Sequence, residues 1–148
     1  MAKILFCPKN IQKNAKVLDI ACGEGYGSDF LAQKLKYVVG IDISEETVMH
    51  SRKKYIRDNL QFLVGDIAKI PLENNSVDGI VSFETIEHVD EKTQIEFLKE
   101  SKRVLSRDGI LVVSCPNKRI ASDFAYELWG YTNIYHKKEY EIDDFELL

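Results

Sequence analysis

Two kinds of apolar pattern alternate along this chain, and together they predict its fold. Short apolar runs are typical of strands buried in a parallel sheet, and apolar residues recurring every three or four positions are typical of amphipathic helices. The short runs predict five strands, at Val17–Ala21, Tyr37–Ile41, Leu60–Val64, Val77–Phe83 and Ile110–Ser114. The helical spacing predicts three helices, at Asp29–Lys36, Glu45–Arg57 and Glu91–Leu105.

Polar residues at the ends of these segments support the helix assignments. Ser44 and Asp90 precede the second and third helices, and both are side chains that cap helix N-termini. In the third helix we expect Ile95, Leu98 and Leu105 to share the buried face.

Strands that alternate with helices indicate a parallel sheet with right-handed crossovers, in an α/β protein. The 148 residues suit one domain. We expect residues 1–16 to be a lead-in and residues 117–148 to be a C-terminal cover, with helical pieces near Ile120–Trp129 and Asp143–Leu148. We expect Ser106–Gly109 to be the turn before the fifth strand.

Composition excludes several partners. The net charge is −4, without the basic stripe that a nucleic acid requires. No apolar run reaches the roughly 18 residues of a membrane span. Cys7, Cys22 and Cys115 are far apart and lack zinc-site spacing, which indicates reduced thiols in a cytoplasmic protein.

A glycine-rich segment joins the first predicted strand to the first predicted helix. Gly23, Gly25 and Gly27 occur there at every second position. Glycine lets a backbone approach a ligand closely, and a helix N-terminus offers free N–H groups and a positive dipole end. Such a corner suits a nucleotide-like cofactor. The glycine pattern alone is weak, because Ser28 stands where the dinucleotide fingerprint G-x-G-x-x-G has its last glycine.

Polar residues also follow the other strands. Asp42 ends the second strand, nineteen residues after Gly23, where a carboxylate accepts ribose hydroxyls. Its alternative role is that of a partner for the N-terminus of the next helix. Asp66 follows the third strand, and the segment Phe83–His88 lies at the end of the fourth strand. In a parallel sheet these ends share one edge, so we expect a single ligand crevice.

Several segments, in order and over about Val17–Pro116, resemble class I S-adenosylmethionine-dependent methyltransferases. Asp19–Gly27 resembles the first motif of that family, and Val39–Ser44 resembles its ribose-binding strand end. Gly65–Pro71 resembles the adenine-contacting loop of the family, and Asp78–Val89 resembles the fourth-strand segment of its small-molecule branch. Leu105–Leu111 is similar to the turn into the fifth strand of that branch.

The resemblance implies a Rossmann-like, doubly wound parallel sheet with strand order 3-2-1-4-5. The family also has a hairpin of strands 6 and 7, and we expect this chain to lack it because the sequence ends too early. An exposed fifth strand would then favour a homodimer or a covering by the C-terminal helices.

The resemblance further implies S-adenosyl-L-methionine as cofactor and S-adenosyl-L-homocysteine as its product. The residues it assigns to cofactor binding are Asp19, Ala21, Cys22, Gly23 and Gly25 around the methionine part, Asp42 and Ile43 at the ribose, Asp66 and Ile67 at the adenine, and the Phe83 carbonyl at the amine. Two alternatives stay open: Asp19 organises the glycine loop, and Asp66 caps its own turn.

His88 is the candidate catalytic residue, because an imidazole titrates where a general base is needed. Its alternative role is structural, orienting Glu84 or a backbone carbonyl between the fourth strand and the third helix. Glu84 and His88 have no nearby third ligand, so no metal is expected. Cys22 has no paired base and is interpreted as a packing residue.

The sequence therefore predicts a methyltransferase acting on oxygen or nitrogen of a small-molecule or sugar-like acceptor. One alternative is a nicotinamide-dependent oxidoreductase or epimerase that uses the same glycine corner. The other is a cofactor-binding core without activity of its own.

Overall fold

The computed structural model describes residues 12–115, which form a five-stranded parallel sheet flanked by helices. The strands are β1 (Lys16–Ile20), β2 (Tyr37–Asp42), β3 (Leu60–Val64), β4 (Val77–Phe83) and β5 (Leu105–Ser114). The helices are α1 (Tyr26–Ala32), α2 (Glu45–Lys54) and α3 (Glu91–Val104), with a 3₁₀ turn at Ile86–His88. The expected lead-in up to residue 11, the C-terminal cover with its helical pieces, and the question of a sixth and seventh strand lie outside the described residues.

The predicted strand order is confirmed as β3-β2-β1-β4-β5. β1 is central: Leu18 pairs with Val39 of β2 on one side and with Ile80 of β4 on the other. The chain moves outward from β1 to β3 and then crosses to the other side of β1 with β4. This reversal of strand order creates a crevice beyond the carboxyl ends of β1 and β4.

Both faces of the sheet are buried, as the apolar runs predict. Leu18 and Ile20 of β1 belong to the core on one face, together with Phe97 of α3. Val17, which precedes Leu18 and lies on the opposite side of the pleat, belongs to the core on the other face with Leu31 of α1. Successive β1 residues are thus enclosed on opposite sides, which explains why no polar residue interrupts the run before Asp19.

α1 differs from its prediction at both ends. It begins at Tyr26, because Gly25 takes a left-handed conformation (φ 80°) and starts the helix directly from the glycine loop. It ends at Ala32, where the Asn59 side-chain amide donates to the Ala32 carbonyl at 2.7 Å and to the Leu35 carbonyl at 3.0 Å. A residue distant in sequence therefore closes this helix.

The predicted caps of the other two helices are confirmed. Ser44 Oγ accepts a hydrogen bond from the Thr47 N–H at 3.2 Å, and Asp90 Oδ1 accepts one from the Thr93 N–H at 2.8 Å. α2 ends at Lys54, three residues before the predicted Arg57.

The buried face of α3 is not the predicted one. Ile95 is 48% exposed. The buried residues are Gln94, Phe97, Ser101 and Val104. Two polar residues lie on this face, and the Gln94 amide binds the carbonyls of Ile86 at 2.9 Å and Val89 at 3.2 Å. Because half of the buried residues are polar, the spacing of apolar residues alone does not predict the buried face of α3.

β5 begins at Leu105, so the predicted turn at Ser106–Gly109 is part of the strand. Val77 pairs with Leu105 and Gly79 pairs with Ile110, so the register shifts between these pairs and β5 bulges there. A bulge accommodates turn-forming residues within a strand, because its extra residues need not pair.

Substitutions on α3 distinguish the two faces. Phe97 is 1% exposed in the core, so Phe97→Ala is expected to lower the free energy of unfolding by about 3–5 kcal/mol. Ile95→Ala, on the same helix, is expected to change it by less than about 0.5 kcal/mol. Urea denaturation measures both, and an equal loss in the two variants would contradict the observed face.

Candidate active site

The loop that follows β1 turns sharply and is held by hydrogen bonds to its neighbours. Ala21, Gly23 and Gly25 all have positive φ, at 58°, 51° and 80°. The Cys22 N–H donates to the Ile41 carbonyl at 3.0 Å, and the Gly25 N–H donates to the Cys22 carbonyl at 3.0 Å. These bonds fold the loop over the end of β2, with its backbone turned towards the crevice side of the sheet.

Asp42 fixes this loop relative to the next helix. Its Oδ2 accepts from the Gly23 N–H at 2.9 Å, and its Oδ1 accepts from the Ser44 N–H at 3.0 Å. The predicted role at a helix N-terminus is therefore present. Each carboxylate oxygen has two lone pairs, so the capacity to accept ribose hydroxyls remains. That second role stays a prediction.

Asp19 lies beneath the loop and is 5% exposed. Its Oδ2 accepts a hydrogen bond from the Ser28 hydroxyl at 2.6 Å. Burial raises the pKa of the Asp19 carboxyl from 3.8 to about 6, against the lowering effect of Ser28, and the nearby Asp42 charge raises it further. The structure thus gives Asp19 the loop-organising contact, and its role at the cofactor amine stays a prediction.

Ser28 is a site residue that the sequence interpretation missed. Its only signal is its place where the dinucleotide fingerprint has glycine. At that place it supplies the hydroxyl that binds the buried Asp19 carboxyl.

The position of the Phe62 ring explains why two of the glycines carry no side chain. A Cβ at Gly25 would lie 2.7 Å from the Phe62 ring, and one at Gly40 would lie 2.6 Å from it. A Cβ at Gly23, in contrast, would meet no atom within 4 Å. Gly23 therefore borders open space, as a backbone cradle for a ligand requires. The residues present fit an adenosyl cofactor at this loop.

The predicted adenine-side residues follow β3. The Gly65 N–H donates to the Asp42 carbonyl at 3.0 Å, which ties this strand end to that of β2. Asp66 Oδ1 accepts from the Ala68 N–H at 2.8 Å, so the self-capping role is present. Ile67 packs against the core, and Ile43, beside Asp42, is 71% exposed.

The residues after β4 form a separate group. The Phe83 carbonyl accepts from the Thr85 hydroxyl at 3.0 Å. Glu84 has a positive φ of 52°, and its Oε1 accepts from the Ser114 hydroxyl at 2.8 Å, which links the ends of β4 and β5. The His88 side chain is 43% exposed, and its Nε2 lies 4.0 Å from Oε1 of the buried Glu87. Sequence reasoning missed the burial of Glu87, which no local pattern reveals.

The thiols of Cys22 and Cys115 are free and stay protonated near neutral pH. Burial raises the pKa of Cys22 to about 12, helped by the charges of Asp19 and Asp42. Burial raises the pKa of Cys115 to about 11, helped by Glu87 and Glu84. A thiol that does not ionise is a poor nucleophile, in agreement with the packing role predicted for Cys22.

Among residues 12–115, no set of three or more His, Cys, Asp or Glu side chains is arranged to hold a metal ion. Within the same range, no helix has the length and apolar content of a membrane span.

The fold and the site define the class of protein. A parallel sheet of order 3-2-1-4-5 carries a glycine loop after its first strand and a carboxylate at the end of its second, beside the strand-order reversal. This is the arrangement of Rossmann-like proteins that bind nucleotide-type cofactors.

Comparison with known proteins identifies the family. The model of the methyltransferase domain family matches residues 18–113, and the chain belongs to that family. A probable S-adenosylmethionine-dependent methyltransferase of Mycolicibacterium smegmatis is 42% identical over 69% of this chain and 38% of its own length. The ubiquinone biosynthesis O-methyltransferase of Pelagibacter ubique is 31% identical over 74% of this chain and 45% of its own length. The chain thus spans less than half the length of these relatives.

Solved structures agree with the fold. The PH0226 protein of Pyrococcus horikoshii has a TM-score of 0.64 and 33% identity over 71% of this chain and 50% of its own. Phosphoethanolamine N-methyltransferase 1 of Haemonchus contortus, solved with phosphoethanolamine and S-adenosylhomocysteine, has a TM-score of 0.63 and 25% identity. The match covers 70% of this chain and 23% of that one. S-adenosylmethionine is accordingly the cofactor of this family; the cytoplasmic location and the homodimer stay predictions.

The raised pKa of Asp19 predicts a pH-dependent stability. Because its carboxyl binds a proton more tightly when folded, the free energy of unfolding falls as pH rises from 3.8 to about 6. The loss is about 3 kcal/mol at most and is complete above that window. Asp19→Asn has no titrating group, so its stability is expected to fall less with pH. Urea denaturation between pH 5 and 7.5 measures the difference in slope.

Asp29→Asn is the matched control for this experiment. Asp29 is bound by Arg57, which lowers the pKa of its carboxyl, so it is ionised throughout that range in the folded protein. Its variant is expected to keep the wild-type slope. Parallel profiles for wild type and Asp19→Asn would contradict the raised pKa.

Proposed function

We propose that this protein is an S-adenosylmethionine-dependent methyltransferase that transfers a methyl group to oxygen or nitrogen of a small-molecule or sugar-like acceptor. The observation that carries the proposal is the open space at Gly23, whose N–H is held by Asp42 beside the crevice. Membership of the methyltransferase family supports it. The Pelagibacter relative is named for O-methylation and the Haemonchus neighbour for N-methylation, so both acceptor atoms are retained.

The residues around the loop are assigned to cofactor binding. The backbone of Ala21–Gly25, with the thiol of Cys22 protonated, wraps the methionine part. Asp42, with Ile43 beside it, accepts the ribose hydroxyls. Asp66 accepts from the adenine amino group through Oδ2, which no described residue engages, and the Ile67 N–H donates to the ring. The Phe83 carbonyl accepts from the amine, with Asp19 acting beneath the loop.

The bound cofactor supplies an electrophilic methyl group on a sulfonium, and the protein supplies position and a proton acceptor. An acceptor hydroxyl or ammonium group loses a proton on methylation, so a general base assists. His88 takes this role in the proposal: its imidazole is partly exposed after β4, on the crevice edge, with the buried Glu87 carboxylate 4.0 Å away.

Gly23→Ala is expected to lower cofactor affinity, and Gly25→Ala is expected to lower the melting temperature. At Gly23 the methyl group projects into the proposed cofactor space, so affinity for S-adenosylhomocysteine is expected to fall at least about tenfold. The stability cost is only about 1–2 kcal/mol, for a positive φ. At Gly25 the methyl group meets the Phe62 ring at 2.7 Å, so the melting temperature falls first. Calorimetry and thermal melts measure both, and full cofactor affinity in Gly23→Ala would contradict the cradle.

His88→Ala is expected to lower kcat by about 10²-fold or more while S-adenosylhomocysteine affinity stays within about twofold. Because a base must be unprotonated, the wild-type rate is expected to rise with pH, and the variant to lose that rise. The measurement is a pH–rate profile with a competent acceptor. A loss confined to thermal stability would instead assign His88 a structural role.

Titration with S-adenosylhomocysteine and with NAD tests the cofactor class directly. We expect heat of binding with the first and none with the second; the reverse result would favour the oxidoreductase alternative. A screen of hydroxyl and amine acceptors with methyl-labelled S-adenosylmethionine then tests transfer. It is run on this chain and on a version extended at the C-terminus, since the relatives are longer. Binding without transfer in both versions would support a cofactor-binding core.

A further inference from the structure

The Arg103 side chain, at the C-terminal end of α3, binds the loop that connects β3 to β4. Its Nη1 donates to the Leu72 carbonyl at 2.7 Å and to Asn74 Oδ1 at 3.0 Å. Its Nη2 donates to the Ile70 carbonyl at 2.8 Å and to Glu100 Oε2 at 2.8 Å, and its Nε donates to Glu100 Oε1 at 2.7 Å. All five N–H donors of the guanidinium are thus engaged.

Glu100 completes this contact. Its Oε2 also accepts from the Ile70 N–H at 2.8 Å, so the N–H and the carbonyl of Ile70 are both held by α3. The bidentate pairing with Arg103 lowers the pKa of the Glu100 carboxyl and keeps it charged. The Ile70 side chain is 2% exposed in the core, which anchors the same residue from its other side. Ile70 is therefore the most constrained residue of this loop.

The constraint continues to Asp66. The turn between them is short: the Lys69 N–H donates to the Asp66 carbonyl at 3.0 Å, and Lys69 is followed directly by Ile70. At its other end, Gly65 donates to the Asp42 carbonyl, and a Cβ at Gly65 would lie 2.7 Å from the Pro71 ring. The turn that carries Asp66 and Ile67 is closed against β2 on one side and against α3 on the other.

We propose that Arg103 and Glu100 are positioning residues for adenine recognition: they fix the turn so that the Asp66 carboxylate and the Ile67 N–H meet the adenine edge. The inference rests on the proposed function, and it adds a specificity role for two residues that touch no ligand. The exposed Asp66 carboxylate is oriented by the Ala68 N–H within the same turn, so its direction relative to the crevice follows that of the turn. Lysine at position 103 cannot replace the arginine, because a single ammonium does not span two carbonyls and a carboxylate.

The test compares two ligands that differ only at position 6 and N1 of the purine, the edge that Asp66 and the Ile67 N–H are proposed to meet. S-adenosylhomocysteine presents an amino group and an N1 acceptor there. S-inosylhomocysteine presents a carbonyl oxygen, which an aspartate repels, and an N1–H, which cannot accept from the Ile67 N–H. The wild-type 148-residue chain is expected to prefer the first by about tenfold to hundredfold, the range of a lost hydrogen bond to a charged group. Arg103→Lys and Arg103→Met are expected to reduce this preference to about threefold or less. Glu100→Gln is expected to reduce it in the same direction.

Three control variants separate positioning from general stability. Asp66→Asn removes the charged acceptor itself and defines the preference that remains without it. Val104→Ala removes a fully buried side chain next to Arg103 and lowers the melting temperature without removing a loop hydrogen bond. Lys99→Ala removes an exposed ion pair with Glu96 on the same helix. The last two are expected to keep the wild-type preference.

The outcomes are distinguishable. A preference that falls in the Arg103 variants towards that of Asp66→Asn, and stays in Val104→Ala, supports the inference. An unchanged preference in the Arg103 variants, even with a lower melting temperature, overturns it. A wild-type chain that binds both ligands equally overturns the adenine role of Asp66, and this inference with it, while leaving the methyltransferase proposal intact. A chain that binds neither ligand contradicts the proposed function itself.

Discussion

The hydrogen bond from the Gly23 N–H to Asp42 is the contact on which the rest of the candidate site depends. At 2.9 Å it joins the loop after β1 to the end of β2, and the Ser44 N–H binds the other carboxylate oxygen at 3.0 Å. One side chain therefore fixes the loop, the strand end and the start of α2 relative to one another. Because β1 and β2 are neighbours in the sheet, the position of the loop follows from strand pairing and not from its own flexible backbone.

Much of the fold is predictable from the sequence, because strands buried on both faces leave apolar runs with clear ends. β3 and β4 have the predicted bounds. The differences arise where distant contacts override local pattern. The Asn59 amide ends α1 early, a bulge absorbs Ser106–Gly109 into β5, and Gln94 and Ser101 lie on the buried face of α3. Apolar periodicity carries no information about a polar side chain that finds its partners only after folding.

The candidate site divides in the same way. Glycine spacing and a carboxylate at a strand end are local signals, so Gly23 and Asp42 can be identified as candidate site residues from the sequence alone. Ser28 binds the buried Asp19 from a different structural element, and Arg103 likewise binds Ile70 from a different element. Only the three-dimensional structure brings such pairs together, and the residue types alone do not announce them. The chemistry of the site is thus more readable from sequence than the support that holds it in place.

The Phe62 ring occupies the volume that side chains at Gly25 and Gly40 would need, within 2.7 Å of both sites. A side chain at position 25 or 40 and a large ring at position 62 therefore exclude each other sterically, so we expect these three positions to change together in evolution. A lineage that acquires alanine at either glycine is expected to carry a smaller residue at position 62, and the aromatic ring persists only where both glycines do. Correlated change at these sites would record, across many sequences, a packing constraint that no single sequence displays.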